Sequence, residues 1–101
     1  MRAYKFPITI ERMKDDESWE YVLSCRARVN SFGGKEFAAA GTYHADETKS
    51  FEVRYCREIA NLIPQETRII YNGQEYDVVF IDNFMQENKV LKFRGVVNFG
   101  R

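Results

Sequence analysis

The chain has 101 residues, of which 45% are hydrophobic, 15% aromatic and 30% charged. This fits one globular domain and excludes a disordered tail, which lacks the apolar surface to offset chain entropy. Fifteen Lys+Arg against fifteen Asp+Glu leave no formal net charge, so tight phosphate binding, which needs a surplus of cations, is not favoured as a primary activity. No apolar run reaches the length that spans a bilayer, and Met1-Arg2-Ala3-Tyr4-Lys5-Phe6 is no signal peptide, so a cytoplasmic chain without a membrane partner is expected.

The first strand is expected over 4–12, where Tyr4, Phe6, Ile8 and Ile10 recur at every second position and share a face. Pro7 cannot donate a ladder hydrogen bond, so the strand should begin close to it or present it at an edge. Lys14-Asp15-Asp16-Glu17-Ser18 is a charged, turn-prone break with no fixed metal-ligand geometry. From Trp19 to Val29 a long second strand is expected, bent or bulged near Leu23, with Cys25, Ala27 and Val29 inward and Arg26 and Arg28 outward.

Periodicity lapses from Asn30 to about Lys49. Asn30-Ser31-Phe32-Gly33-Gly34 reads as a turn cluster, and Lys35-Glu36-Phe37-Ala38-Ala39-Ala40 as a short helix former stopped by Gly41. A connection this long in a compact domain tends to be functional or mobile. A third strand resumes over 50–57, with Phe51, Val53 and Tyr55 on one face. The stretch 58–66 reads as a loop with one helical turn, because Pro64 holds Ile63 away from helical geometry. Asn72-Gly73 supplies the two positive-φ residues of a type I′ hairpin joining 68–71 to 74–81, and a second hairpin near 86–89 leads into a last strand over 90–98. The expected fold class is all-β, mainly antiparallel: six strands in a small barrel or sandwich with one excursion between strands 2 and 3, within a single domain over 1–101.

Candidate chemistry is sparse. His44, the sole histidine, lies in Tyr43-His44-Ala45-Asp46-Glu47, and one imidazole beside sequence-adjacent carboxylates is not a converging ligand set. Cys25 and Cys56 lack a CxxC partner and a local base, and read as buried free thiols. Gly33-Gly34-Lys35 lacks the spacing and the Lys-Ser/Thr pair of a phosphate loop. Phe32, Phe37, Tyr43 and Phe51 are possible stacking platforms for single-stranded nucleic acid on a small OB-like barrel, but such platforms sit in a cationic groove. Phe51 reads instead as core, and the other three as anchors on the barrel or on a neighbouring subunit. No catalytic, cofactor-binding or metal residue is assigned, and no cofactor is expected.

Several segments together resemble the bacteriophage head-tail joining family, also called head-closure or stopper proteins. They are Ile8-Thr9-Ile10, Trp19 with Ala27-Arg28-Val29, Gly34-Lys35-Glu36, Phe51-Glu52-Val53-Arg54-Tyr55, the run from Arg68 to Val78 across Asn72-Gly73, and Val90-Leu91-Lys92-Phe93. One departure is the first loop, 14–18, which lacks a glycine. The resemblance implies a small β barrel of a virus or prophage whose copies form a ring of about twelve below the portal and its adaptor. That ring closes the head and docks a tail or tail-terminator protein, with packaged DNA only passing through its lumen. It also implies a structural, non-enzymatic protein of the virion, present in the host cytoplasm during assembly. Ring contacts join two different surfaces of each copy, and the excursion is expected to supply one through Phe32, Gly34, Lys35, Glu36, Phe37, Tyr43 and His44.

Overall fold

Alternating apolar and polar residues build six antiparallel strands in the computed structural model, which describes residues 4–31, 48–83 and 87–98. The strands are β1 (Phe6–Met13), β2 (Trp19–Ser31), β3 (Thr48–Arg54), β4 (Thr67–Tyr71), β5 (Gln74–Asn83) and β6 (Val90–Val97). Hydrogen-bonded neighbours run β1-β2-β3-β6-β5-β4, and β4 pairs back onto β1, so the sheet closes into a barrel. Closure gives every strand a partner on both sides, although β2 meets β3 only over Arg28–Ser31, and so limits edge-to-edge association. The short helix expected within 35–40 lies outside the described residues.

The interior is filled by the inward face of each strand. Ile8, Ile10, Ala27, Phe51, Val53, Ile69, Tyr76, Val78, Leu91 and Phe93 are buried. The inward parity of β1 holds for Ile8 and Ile10, whereas Phe6 stands 37% exposed at the barrel mouth, edge-on to Tyr71. Phe51, Tyr71 and Tyr76 pack with ring centroids 5.2–6.4 Å apart, which makes that half of the core aromatic. At the opposite end the two 3-10 turns Arg57–Ile59 and Pro64–Glu66 cross the opening, and the fully buried Ile59 plugs it. Ile63 is extended at φ −98° and ψ 124°, as the residue before Pro64 must be. The single helical turn expected here is two 3-10 turns, because Thr67 Oγ1 donates to the Ile63 carbonyl and tightens the second.

β1 begins at Phe6, one residue before Pro7, as the missing proline donor requires. Ile10 pairs with Leu23 and Glu11 with Tyr21, so Val22 is the extra residue of a β-bulge next to the position expected for it. The bulge switches β2 in phase: Trp19 and Tyr21 point outward before it, and Cys25 and Ala27 inward after it. Asn72 and Gly73 take φ values of 56° and 79°, the double left-handed pair of the I′ hairpin.

The glycine missing from the first loop has a structural counterpart. Glu17 occupies φ 68°, a region that costs a residue with a Cβ about 1–2 kcal/mol. Its neighbours hold it there: Asp16 accepts from both the Ser18 amide and the Ser18 hydroxyl, and Glu17 N–H donates to the Lys14 carbonyl. Glu17→Gly is expected to raise stability by about 0.5 kcal/mol, the strain relieved less the entropy of glycine, as a higher midpoint in urea unfolding.

The expected bounds of the connection and of the third strand require correction, that strand ending at Arg54 and not at 57. Asn30 and Ser31 do not form a turn, and Thr48 and Lys49 do not belong to the connection. The β2–β3 ladder pairs Asn30 with Ser50 and Ser31 with Lys49, because cross-strand pairing outweighs the turn propensity of Asn and Ser.

Candidate interaction surface

Ser31 and Thr48, which bound the excursion, stand at the same barrel end as Phe6, the Asn72-Gly73 turn and Asn98. That end is tied together by Asn98, whose amide donates to the Glu75 carbonyl and whose side chain donates to Asp77. The seven residues singled out from sequence, Phe32, Gly34, Lys35, Glu36, Phe37, Tyr43 and His44, all lie outside the described residues.

The outer wall carries features that the sequence reading missed. Val78 pairs with Gly95 and Phe80 with Arg94, so Val79 is the extra residue of a second bulge. As a result Val79 and Phe80 are both exposed, at 47% and 52%. The signal in the sequence was the unalternating run Val78-Val79-Phe80-Ile81, which a strand of period two cannot bury on one face. Phe80 lies beneath the Arg94 guanidinium, 5.9 Å from its ring centre, and lines a shallow cleft with Ser50, Asp82 and Lys92.

Charge is unevenly distributed around this wall. Over the second half of β2, β3, β6 and the end of β5, the outward positions carry Arg26, Arg28, Arg54, Lys92 and Arg94, against Glu52 and Asp82. Tyr4 lies across this face, its ring 4.9 Å from the Arg28 guanidinium and 4.8 Å from that of Arg54, with its hydroxyl donating to Glu52. On β1, β4 and the start of β5 the charges whose register faces outward are Glu11, Glu75 and Asp77 against Arg68, while Arg12, exposed at the end of β1, is neutralised by Glu20 of β2. Arg68 bonds Glu11 at 2.7 Å, approaches Glu75 at 3.4 Å and stacks on Trp19 at 4.4 Å. Beside Glu11 stands Tyr21, 64% exposed.

Nothing among the described residues converges as catalytic groups must. No cluster of three potential metal ligands occurs among them. Cys25 and Cys56 are free and half-buried rather than fully buried. Burial pushes the Cys25 thiol up from its ordinary value and proximity to Cys56 adds to this; burial, then a hydrogen bond with Glu58, raises Cys56. Both therefore stay protonated and poorly nucleophilic at neutral pH. Because the folded chain holds these protons more tightly than the unfolded one, their contribution is fully present below the ordinary thiol value of 9.0 and is lost as pH rises through the raised values. The urea midpoint should fall as pH rises past the ordinary thiol value of 9.0, and Cys25→Ala should flatten that fall. Phe51, the fourth aromatic considered as a stacking platform, is fully buried, as its reading as core required, and cannot meet a base.

The family model described as phage head completion protein matches residues 8–94, from within β1 to the middle of β6. The chain belongs to this family. A comparison with curated proteins finds no match. Membership gives the barrel a structural role at the phage head, as a component of the virion acting with other head and tail proteins. Among the described residues no helix is long and apolar enough to cross a membrane.

Proposed function

We propose that copies of this head completion protein form a ring between the portal with its adaptor and the tail, closing the DNA-filled head and presenting a docking surface for the tail. The observation that carries this reading is the family match across the strands of a closed barrel whose β2–β3 connection, 32–47, leaves from one end. A closed barrel fixes subunit shape, since each strand is hydrogen-bonded to a neighbour on both sides and the interior is filled by side chains. A long connection at one end can reach a neighbouring subunit without disturbing that core, and Phe32, Gly34, Lys35, Glu36, Phe37, Tyr43 and His44 are the contact residues assigned to it. Packaged DNA meets the ring only by passing through its lumen.

Size-exclusion chromatography with light scattering, on the protein alone and mixed with the adaptor ring, tests this. A ring-sized species under at least one condition is expected, and a chain that stays monomeric under both contradicts it. Salt-dependent binding to a single-stranded oligonucleotide would favour a nucleic-acid module instead.

A further inference from the structure

The two charged walls of the barrel have a fixed geometric relation. In the closed order β1-β2-β3-β6-β5-β4, the seam between β3 and β6 lies diametrically opposite the seam between β4 and β1. The first seam is the centre of the basic wall and the second the centre of the acidic wall. Each wall also carries an exposed aromatic side chain: Phe80 beside Lys92 and Arg94, and Tyr21 beside Glu11. An exposed aromatic framed by charge is the usual anchor of a protein interface.

We propose that the occupant of the Phe80 wall is a second copy of this chain, seated by its Tyr21 wall, so that copies join front to back. The choice of a second copy rests on charge complementarity. The chain has no net charge, yet it separates five outward cations against two carboxylates on one side from three carboxylates against one cation on the other. Each copy therefore carries both halves of an electrostatically matched contact. Opposed, non-identical walls make that contact heterologous, the kind that propagates into a ring or filament instead of stopping at a dimer. The β5 bulge serves it directly, since without the extra residue Val79 the strand could not turn both Val79 and Phe80 to solvent. This inference rests on the ring reading above and assigns it a barrel-to-barrel contact in addition to the 32–47 connection.

The first test is zero-length carbodiimide coupling of the wild-type protein at high concentration, with the junctions identified by mass spectrometry. Lys92 pairs with Asp82 at one end of β5 and Glu75 lies level with Asn98 at the other, about 20 Å away, so their coupling reports contact between copies. Junctions of Lys92 to Glu75, Glu11 or Asp77 are expected, suppressed at about 0.5 M salt. Junctions confined to other pairs, or no concentration-dependent ladder, overturn the proposal.

The second test uses two charge-reversed proteins, Arg54→Glu with Lys92→Glu, and Glu75→Lys. Each alone should self-associate at least about tenfold more weakly than wild type, and an equimolar mixture should recover association by alternating the two. Thermal melts matching wild type establish that the variants are folded, and Lys92→Gln gives a milder version should either fail to fold. Variants that form rings as readily as wild type, or a mixture that recovers nothing, overturn the front-to-back contact while leaving the ring reading intact. A wild-type chain that assembles neither alone nor on the adaptor ring overturns both.

Discussion

Phe51→Ala is expected to destabilise the barrel by about 3–5 kcal/mol, the range for truncating a fully buried aromatic side chain. Phe51 has no exposed surface and holds two edge-on partners, Tyr76 at 5.2 Å and Tyr71 at 5.7 Å. It also sits on β3, paired with Val29 of β2 on one side and Phe93 of β6 on the other, so its ring ties together strands distant in sequence. The barrel is closed by hydrogen bonds all round, so its walls cannot collapse into the void, and the cavity cost adds to the lost transfer energy. For a domain whose total stability is of order 5–15 kcal/mol, that loss should lower the thermal midpoint by about 15–30 °C. A urea titration giving a loss under about 1 kcal/mol would mean that Phe51 is not the centre of the core.

Gly95→Val should be nearly as costly, for the opposite reason. Gly95 faces inward on β6 between Val78 and Lys49, and a Cβ there would lie 3.0 Å from the Tyr76 Cβ and 3.2 Å from the Phe51 ring. The first contact is with an atom fixed to the backbone of the neighbouring strand, so it cannot rotate away. Only glycine lets the Phe51–Tyr76 pair close over this point of the wall. Two further methyl groups force the aromatic pair apart, and about 2–4 kcal/mol of destabilisation is expected in the same titration. Gly95→Ala should cost less, since a shift of a few tenths of an ångström would accommodate it. A Gly95→Val protein with wild-type stability would contradict the packing described here.

Much of the barrel was legible wherever the code is local. Asn72-Gly73 announced its hairpin because two successive left-handed residues have few other uses. Pro64 announced the extended Ile63, and the phase of Cys25, Ala27 and Val29 announced the bulge found at Val22. What failed was decided by partners remote in sequence. Asn30 and Ser31 carry turn propensity, yet each is held in the ladder by a β3 residue about twenty positions away. Val79 and Phe80 read as ordinary strand residues because the unalternating run from Val78 to Ile81 signals an irregularity without placing it, and the extra residue is fixed only once β5 is set against β6. Closure itself depends on β1 pairing with both β2 and β4, which no local pattern encodes. The surface was least legible of all. Net charge was known to be zero, but its separation into two opposed walls follows from the strand order and not from composition.

The contact role proposed for the excursion can be tested by removing it, since the pairing of Ser31 with Lys49 makes it separable from the barrel. With those two residues side by side, 32–47 can be replaced by a short Gly/Asn-rich turn without breaking the ladder. The decisive measurement is light scattering of this shortened protein with the adaptor ring, alongside its urea midpoint. The account predicts a barrel within about 0.5 kcal/mol of wild type that no longer joins the ring. A shortened protein that unfolds, or one that still assembles at wild-type stoichiometry, would contradict it.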